Sequence, residues 1–230
     1  MDKKQSFEHH YSVPDPYGHK KWYSESKRIE STLALLFDTG LTFERGLELA
    51  CGEGDISREL MKVCKKLVAV DISANALKRA RELNKEFGER IEFIEADAYE
   101  LEFPEGSFDF INGMESLHYT KDRSGQVAKW IKWLKPGGYI LFSGANIRNL
   151  YYSFDELSEL FKRPELEILR FEPVNTKFPT QFLQNRSLLP QSEFVWHMGL
   201  HVTKLHPRVF AKVMATLVRK RAEGTARLQP

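Results

Sequence analysis

Cysteine is nearly absent: Cys51 and Cys64 are the two in 230 residues, too few to staple a fold with disulfides. Such thiol poverty suits a reducing compartment, so a cytoplasmic protein is expected. No stretch approaches the 18 or so consecutive apolar residues of a membrane helix. The opening MDKKQSFEHHYS lacks the apolar core of a signal peptide, so no membrane partner is expected. Neither sign of charge dominates, with 34 Lys and Arg against 32 Asp and Glu, a formal net charge of +2. That is too mild to argue for nucleic acid. Repeats, low-complexity tracts and the cysteine–histidine spacings of metal sites are missing as well. The adjacent His9 and His10 read as solvated residues near a terminus, and no metal is expected. What remains is an ordinary globular mixture, 42% hydrophobic and 29% charged, in a length suited to one α/β domain with additions.

Along the centre, strand-like and helix-like segments alternate. Arg45–Ala50 reads as a strand ending in a glycine-rich turn. Asp55 then caps a helix reaching about Lys65, with Ile56, Leu60, Met61 and Cys64 on one face. Lys66–Asp71 is a buried strand, and Ser73 caps a second helix that runs through about Phe87 and stops at Gly88. Further strands are expected at Ile91–Ala96, Phe108–Gly113 and Tyr139–Ser143, with a helix over Asp122–Leu134. Such alternation implies a parallel sheet with helices on both faces. After Gly144 the rhythm changes. Phe154–Phe161 reads as a short helix, Leu166–Val174 and Glu193–Leu205 as strands paired antiparallel at the sheet edge, and about Pro207–Arg221 as a final helix. Its stripe Val209, Phe210, Val213, Met214, Leu217 and Val218 would face the domain, and Arg219, Lys220 and Arg221 would match its dipole. In the strand assigned to them, His197 and His201 lack a ligand geometry.

The sharpest feature is ELACGEGD, Glu48–Asp55, directly after a strand and before a helix. Glycines there allow a tight turn and a close backbone approach to a ligand. Asp71, the acidic end of the second strand, is placed to accept hydrogen bonds from ribose hydroxyls. A GxG turn with a downstream acid is shared by nicotinamide and flavin enzymes, but Ser57 stands where their third glycine falls. Further motifs follow in order: Glu95–Ala98 (EADA), then Leu101–Pro104 (LEFP) and Ser107–Asp109 (SFD), then Gly113–Tyr119 (GMESLHY) and Leu134–Gly138 (LKPGG).

This ordered set resembles class I S-adenosylmethionine (SAM)-dependent methyltransferases from about Phe43 to Gly144. The resemblance implies a Rossmann-like α/β fold, a seven-stranded mostly parallel sheet with one antiparallel edge strand and helices on both faces. SAM is the implied cofactor. Glu48, Ala50, Gly52 and Gly54 match the motif around its methionine part, Asp71 the ribose acid, and Ile72 a residue packing on adenine. Asp97 matches the acid for the adenine amino group, Ala98 the neighbouring backbone N–H, and Met114 a backbone contact. Each also has a plain structural reading, Asp97 as a turn cap and Met114 as core.

Asp15–Arg28, DPYGHKKWYSESKR, is similar to the opening of nodulation N-methyltransferase-type enzymes. In physical terms, Pro14 and Pro16 break the chain into a lid, Trp22 or Tyr23 covers the cofactor or staples a helix to the domain, and Arg28 pairs with the cofactor carboxylate. The expected layout is a lid over 1–30, the methyltransferase domain over 31–206 with an acceptor-side loop at 175–192, and a C-terminal helix and tail over 207–230. That loop offers Phe178, Phe182, Asn185 and Arg186 to the acceptor.

His118 lies just past the fourth strand, at the carboxyl edge where open α/β sheets bind ligands. It is the catalytic candidate, as a general base or as a residue that shapes the pocket. Glu115 and Tyr119 are candidates for holding an acceptor. The expected activity is methyl transfer to an N or O atom of a small molecule, by a monomer or homodimer. The rivals are a methyltransferase acting on RNA or protein, a SAM-binding protein without turnover, and a nicotinamide dehydrogenase.

Overall fold

The computed structural model describes residues 2–145, 152–176, 193–205 and 211–222. Seven strands, β1 (Phe43–Leu49), β2 (Cys64–Asp71), β3 (Ile91–Glu95), β4 (Phe108–Met114), β5 (Leu134–Ala145), β6 (Leu166–Thr176) and β7 (Ala211–Lys220), form one sheet. Their order is β3-β2-β1-β4-β5-β7-β6. The first five are parallel to their neighbours, and β7 runs antiparallel to both β5 and β6. The expected class therefore holds, with the antiparallel strand at that end of the sheet and one place in from the edge.

Around the sheet lie helices α1 (Lys3–His10), α2 (Tyr23–Phe37), α3 (Asp55–Leu60), α4 (Ala74–Leu83), α5 (Arg123–Trp133), α6 (Phe154–Glu159) and α7 (Glu193–Leu205). Central parallel strands are covered on both faces, so they read as apolar runs rather than as alternations. Leu47, Val68, Val70, Phe108 and Ile111 pack on one face with Trp130 and Trp133 of α5, while Leu67, Ala69, Phe110 and Leu141 pack on the other with Leu33, Leu36 and Leu77. Truncating a buried Trp of this kind costs about 3–5 kcal/mol. Gly113 is required by this packing, because a Cβ there would collide with the Trp130 ring.

Several boundaries differ from the sequence reading. Helix α3 ends at Leu60, and Cys64 already belongs to β2. Helix α4 ends at Leu83, followed by a 3₁₀ turn over Lys85–Arg90 that breaks at Gly88. Strand β5 starts at Leu134 and runs through Pro136, with a register shift between Phe108 and Phe110 of its partner.

Two assignments are corrected outright. Glu193–Leu205 is a helix, burying Trp196, Leu200 and Thr203 at the i, i+4, i+7 spacing of one helical face. His197 and His201 lie exposed along it, and no group of three metal-ligating side chains exists among the described residues. Ala211–Lys220 is a strand, not a helix. Residues Val213 to Val218 are buried on both faces, Met214 and Val218 in one core cluster and Val213, Ala215 and Leu217 in the other, and a run buried all round carries no period to separate strand from helix. Arg219 pairs with Glu167 across the sheet and the Lys220 ammonium donates to the Ile131 and Leu134 carbonyls, so no helix dipole is involved. From residue 177 onward the expected loop, with Phe178, Phe182, Asn185 and Arg186, lies outside the described residues. No helix among the described residues is long and apolar enough to cross a membrane.

Candidate functional site

At the carboxyl ends of β1, β2 and β4 the chain encloses a cavity of about 450 Å³, within the usual range for small-molecule sites, about 300–1,000 Å³. Its floor is the turn after β1. Ala50, Gly52 and Gly54 all have positive φ (60°, 54° and 79°), a geometry that costs an L side chain and is free for glycine. Beneath the turn lies the fully buried Glu48, which accepts from the Ser57 hydroxyl at 2.5 Å and faces the Asn112 amide at 3.4 Å. Burial pushes its carboxyl up to about 8 against the pull of those two hydrogen bonds. Gly54 packs against Ala80 and Asn84 of the α4 region, and its carbonyl accepts from Asn84 Nδ2. Glu48 and Gly54 thus support the lining from behind, whereas Ala50 and Gly52 are part of it.

Asp71 closes β2. Its Oδ2 accepts from the Gly52 N–H at 2.8 Å and its Oδ1 from the Ser73 N–H at 2.9 Å. Burial raises its carboxyl, opposed by the N–H groups of Ser73, Gly52 and Ile72. Each oxygen keeps a second lone pair, and Asp71, Ile72, Asp97, Ala98 and Met114 all face the cavity.

Over the cleft lies a roof from the segment expected to be a lid, but the residues that form it were not singled out in the sequence. Helix α1 opens with a capping box between Asp2 and Gln5 and lays Lys3, Phe7 and, just beyond it, Tyr11 along one stripe over the cleft. Lys3 donates to both Asp97 oxygens at 2.9 and 2.6 Å and stands 4.0 Å from the Tyr99 ring centre. Glu8 accepts from the Ala74 and Asn75 N–H groups at the start of α4. Arg79 holds the following segment by donating to Glu53 and to the Tyr11 and Val13 carbonyls. A legible signal existed in the 3-7-11 spacing, which a reading of the terminus as solvated passes over.

Trp22 does not line the cavity. Its indole lies over Gly18, 38% exposed, with the Lys21 ammonium 4.9 Å from its ring. Tyr11, Tyr17 and His19 occupy the cover position instead. Burial, then the charge of Arg28, lowers the His19 imidazole, which stacks on Tyr17 at 5.7 Å.

The far end of the cavity is ionic. Arg28 of α2 is buried, its Nε donating to Glu25 at 2.8 Å, and Nη1 has no hydrogen-bond partner although it stands 3.6 Å from Glu115. Glu25 is also 3.7 Å from Lys212 of β7. Glu115 receives the Ser143 hydroxyl at 2.8 Å and His118 Nε2. Burial works to raise its carboxyl, but the His118 hydrogen bond and the Arg28 charge hold it down at about 2. His118 is nearly enclosed, with its Nδ1 buried, and its ring tilts against Tyr152. Tyr119 is half exposed and meets Phe7 edge-on at 4.9 Å.

Residues 47–142 match the family of methyltransferase domains. The ubiquinone biosynthesis O-methyltransferase of Aromatoleum aromaticum is 28% identical over 195 residues, covering 81% of this chain and 80% of that protein. Residues 47–142 therefore form a SAM-dependent methyltransferase domain. Several further curated relatives are matched over less than half of their own length. In fold, the methyltransferase is similar to the N-methyltransferase NodS from Bradyrhizobium japonicum WM9 in complex with S-adenosyl-L-homocysteine. That match has a TM-score of 0.69 and 20% identity and covers 95% of this chain and 99% of the other. It is also similar to 1,6-didemethyltoxoflavin-N1-methyltransferase from Burkholderia thailandensis, with a TM-score of 0.64, 17% identity and coverage of 95% and 87%.

Proposed function

We propose that the protein transfers the methyl group of SAM to a nitrogen or oxygen atom of a small molecule. The observation that carries this reading is the buried Arg28 guanidinium, whose Nη1 makes no hydrogen bond, lining a cavity whose other end presents Asp71. A bound carboxylate suits the first group, because guanidinium and carboxylate match in geometry. A pair of ribose hydroxyls suits the second. Ala50 and Gly52 would follow the methionine part, Ile72 and Ala98 the adenine, Met114 the chain through its backbone, and Asp97 the adenine amino group in exchange for Lys3.

When bound, SAM supplies a sulfonium methyl group that is already electrophilic. The protein is left with alignment, exclusion of water and compensation of charge. The roof of α1 and residues 11–19 performs the exclusion. Orientation is favoured over base catalysis by His118, because its Nε2 is engaged by Glu115 and its Nδ1 is buried. A small acceptor, rather than RNA or protein, is supported by the size of the roofed cavity and by the mild net charge.

Calorimetry with SAM tests the first half of the reading, and a micromolar dissociation constant, about −8 kcal/mol, is expected. Binding of NAD instead of SAM would overturn it. Labelled SAM offered with amines, phenols, bulk RNA and protein tests the second half. Label in small molecules is expected, label only in macromolecules names the wrong acceptor class, and tight binding without any product identifies a SAM-binding protein without turnover.

A further inference from the structure

Strand β4 ends at Met114, and the next residue, Glu115, has a φ of 53°. A glutamate stays in the left-handed region only where its surroundings over-determine it. Here they are specific: Ser143 of β5 fixes one oxygen, His118 the other, and Arg28 of α2 supplies the compensating charge. The left-handed turn leads into the 3₁₀ segment Ser116–Tyr119, which brings His118 back over the carboxylate. Within the pair the exposures are unequal, 27% for the Glu115 side chain against 7% for His118. The carboxylate is therefore the member that meets a ligand, and the imidazole is the one that holds it.

We infer that Glu115 is the group that binds the methyl acceptor, and that the acceptor it selects is an amine. The inference rests on the methyl-transfer reading above and names its substrate class. A carboxylate only accepts hydrogen bonds, so it takes an N–H of the acceptor on a lone pair that Ser143 and His118 leave over. The amine enters as the free base, and its lone pair forms the new N–C bond as the methyl–sulfur bond breaks and its electrons stay with sulfur. Positive charge thereby passes to the nitrogen, beside Glu115, where a fixed negative charge lowers the barrier. The product leaves as an ammonium or loses its proton to water. A phenolate acceptor would bring negative charge against Glu115 and gain nothing from it. The carboxyl is held far too low to take a proton at neutral pH, so its part is attraction and alignment. The groups around it are the charged Arg28, with Glu25 and Lys212 behind, and the His118 imidazole, flanked by Tyr119 and Tyr152.

The test uses matched pairs, benzylamine with benzyl alcohol and aniline with phenol among a wider set of such isosteres. Binding to the full-length protein saturated with S-adenosylhomocysteine is read by saturation-transfer NMR, and turnover by label from SAM. Amines are expected to bind at least fivefold better than their hydroxyl isosteres. Glu115→Gln, which keeps shape and loses charge, should erase that preference and raise the amine KM about tenfold. Affinity for SAM should shift less than threefold. Glu115→Asp should restore part of the preference, which a purely structural role would not do. Equal binding of the isosteres, hydroxyl acceptors alone being methylated, or an unchanged preference in a folded Glu115→Gln would each overturn the inference. Absence of any methylated product counts against the methyl-transfer reading instead, and the binding arm still decides the role of Glu115.

Discussion

The two ends of the cavity are held in different ways. At the Asp71 end the work is done by main chain: three left-handed residues after β1, N–H groups that clamp a carboxylate, and a buried glutamate underneath. At the Glu115 end it is done by side chains from α2, the turn after β4, β5 and β7, linked through charge and hydrogen bonds. Backbone geometry tolerates little change, so that end suits a fixed ligand. An ionic cluster is reset by a single substitution, so the other end suits a ligand that varies among related proteins. Four experiments press on that contrast.

The largest effect is expected beneath the turn. Glu48 has a folded-state value raised from 4.5 to about 8, so its contribution to stability is fully present below about pH 4.5 and is lost as pH rises towards 8. Glu48→Gln keeps the contacts to Ser57 and Asn112 and removes the titration. Denaturant melts should show wild-type stability falling between pH 5 and 8 by on the order of a few kcal/mol, and a profile for the variant that lacks this fall. Parallel profiles would mean that Glu48 is not the group that titrates. Next comes Asp71→Ala, for which calorimetry should show SAM binding weakened about ten- to a hundredfold, since hydrogen bonds to a charged group are worth about 1.5–3 kcal/mol. Unchanged affinity in a folded variant would remove Asp71 from the site.

A smaller effect is expected at the roof. Partly exposed ion pairs contribute about 0.2–1 kcal/mol, so Lys3→Gln, which frees Asp97, should tighten SAM binding about two- to fivefold. Weaker binding would make Lys3 a member of the cofactor site. The smallest belongs to His118. If it only orients Glu115, His118→Asn should keep kcat within about twofold, measured on an acceptor from the screen above. A fall of about 10²–10⁴ would instead mark a general base and make the Glu115 end a proton-transfer site.

The parallel half of the sheet was legible because its signals are local. A glycine-rich turn, an acid at a strand end and a helix cap each announce themselves within ten residues, and β1 to β4 fell within a few residues of their expected places. In the antiparallel half, β6 and α6 were legible too, but β7 and α7 were not. Strand β7 is apolar on both faces, and α7 is rich in aromatic and β-branched residues that a strand would also favour. Only tertiary context separates those readings. Within the expected lid, Lys3, Phe7 and Tyr11 were missed for a different reason: they gain meaning from Asp97 and Gly52, which lie far along the chain. Trp22, chosen for being large and aromatic, turns outward onto Gly18, and no local pattern distinguishes it from Tyr17.

The place of β7 in the sheet sets an order of events on the ribosome. Strand β6 emerges earlier, yet among the described residues its strand partner is β7 alone. Until Ala211–Lys220 is made, β5 is a bare edge and β6 has nowhere to dock, so the parallel half must wait with an unpaired rim, a surface prone to pairing with other chains. A nonsense change that stops the chain before Ala211 would leave the cofactor turn intact in sequence and strip the sheet of its penultimate strand. Such a product should be found in aggregates rather than as a weakened enzyme.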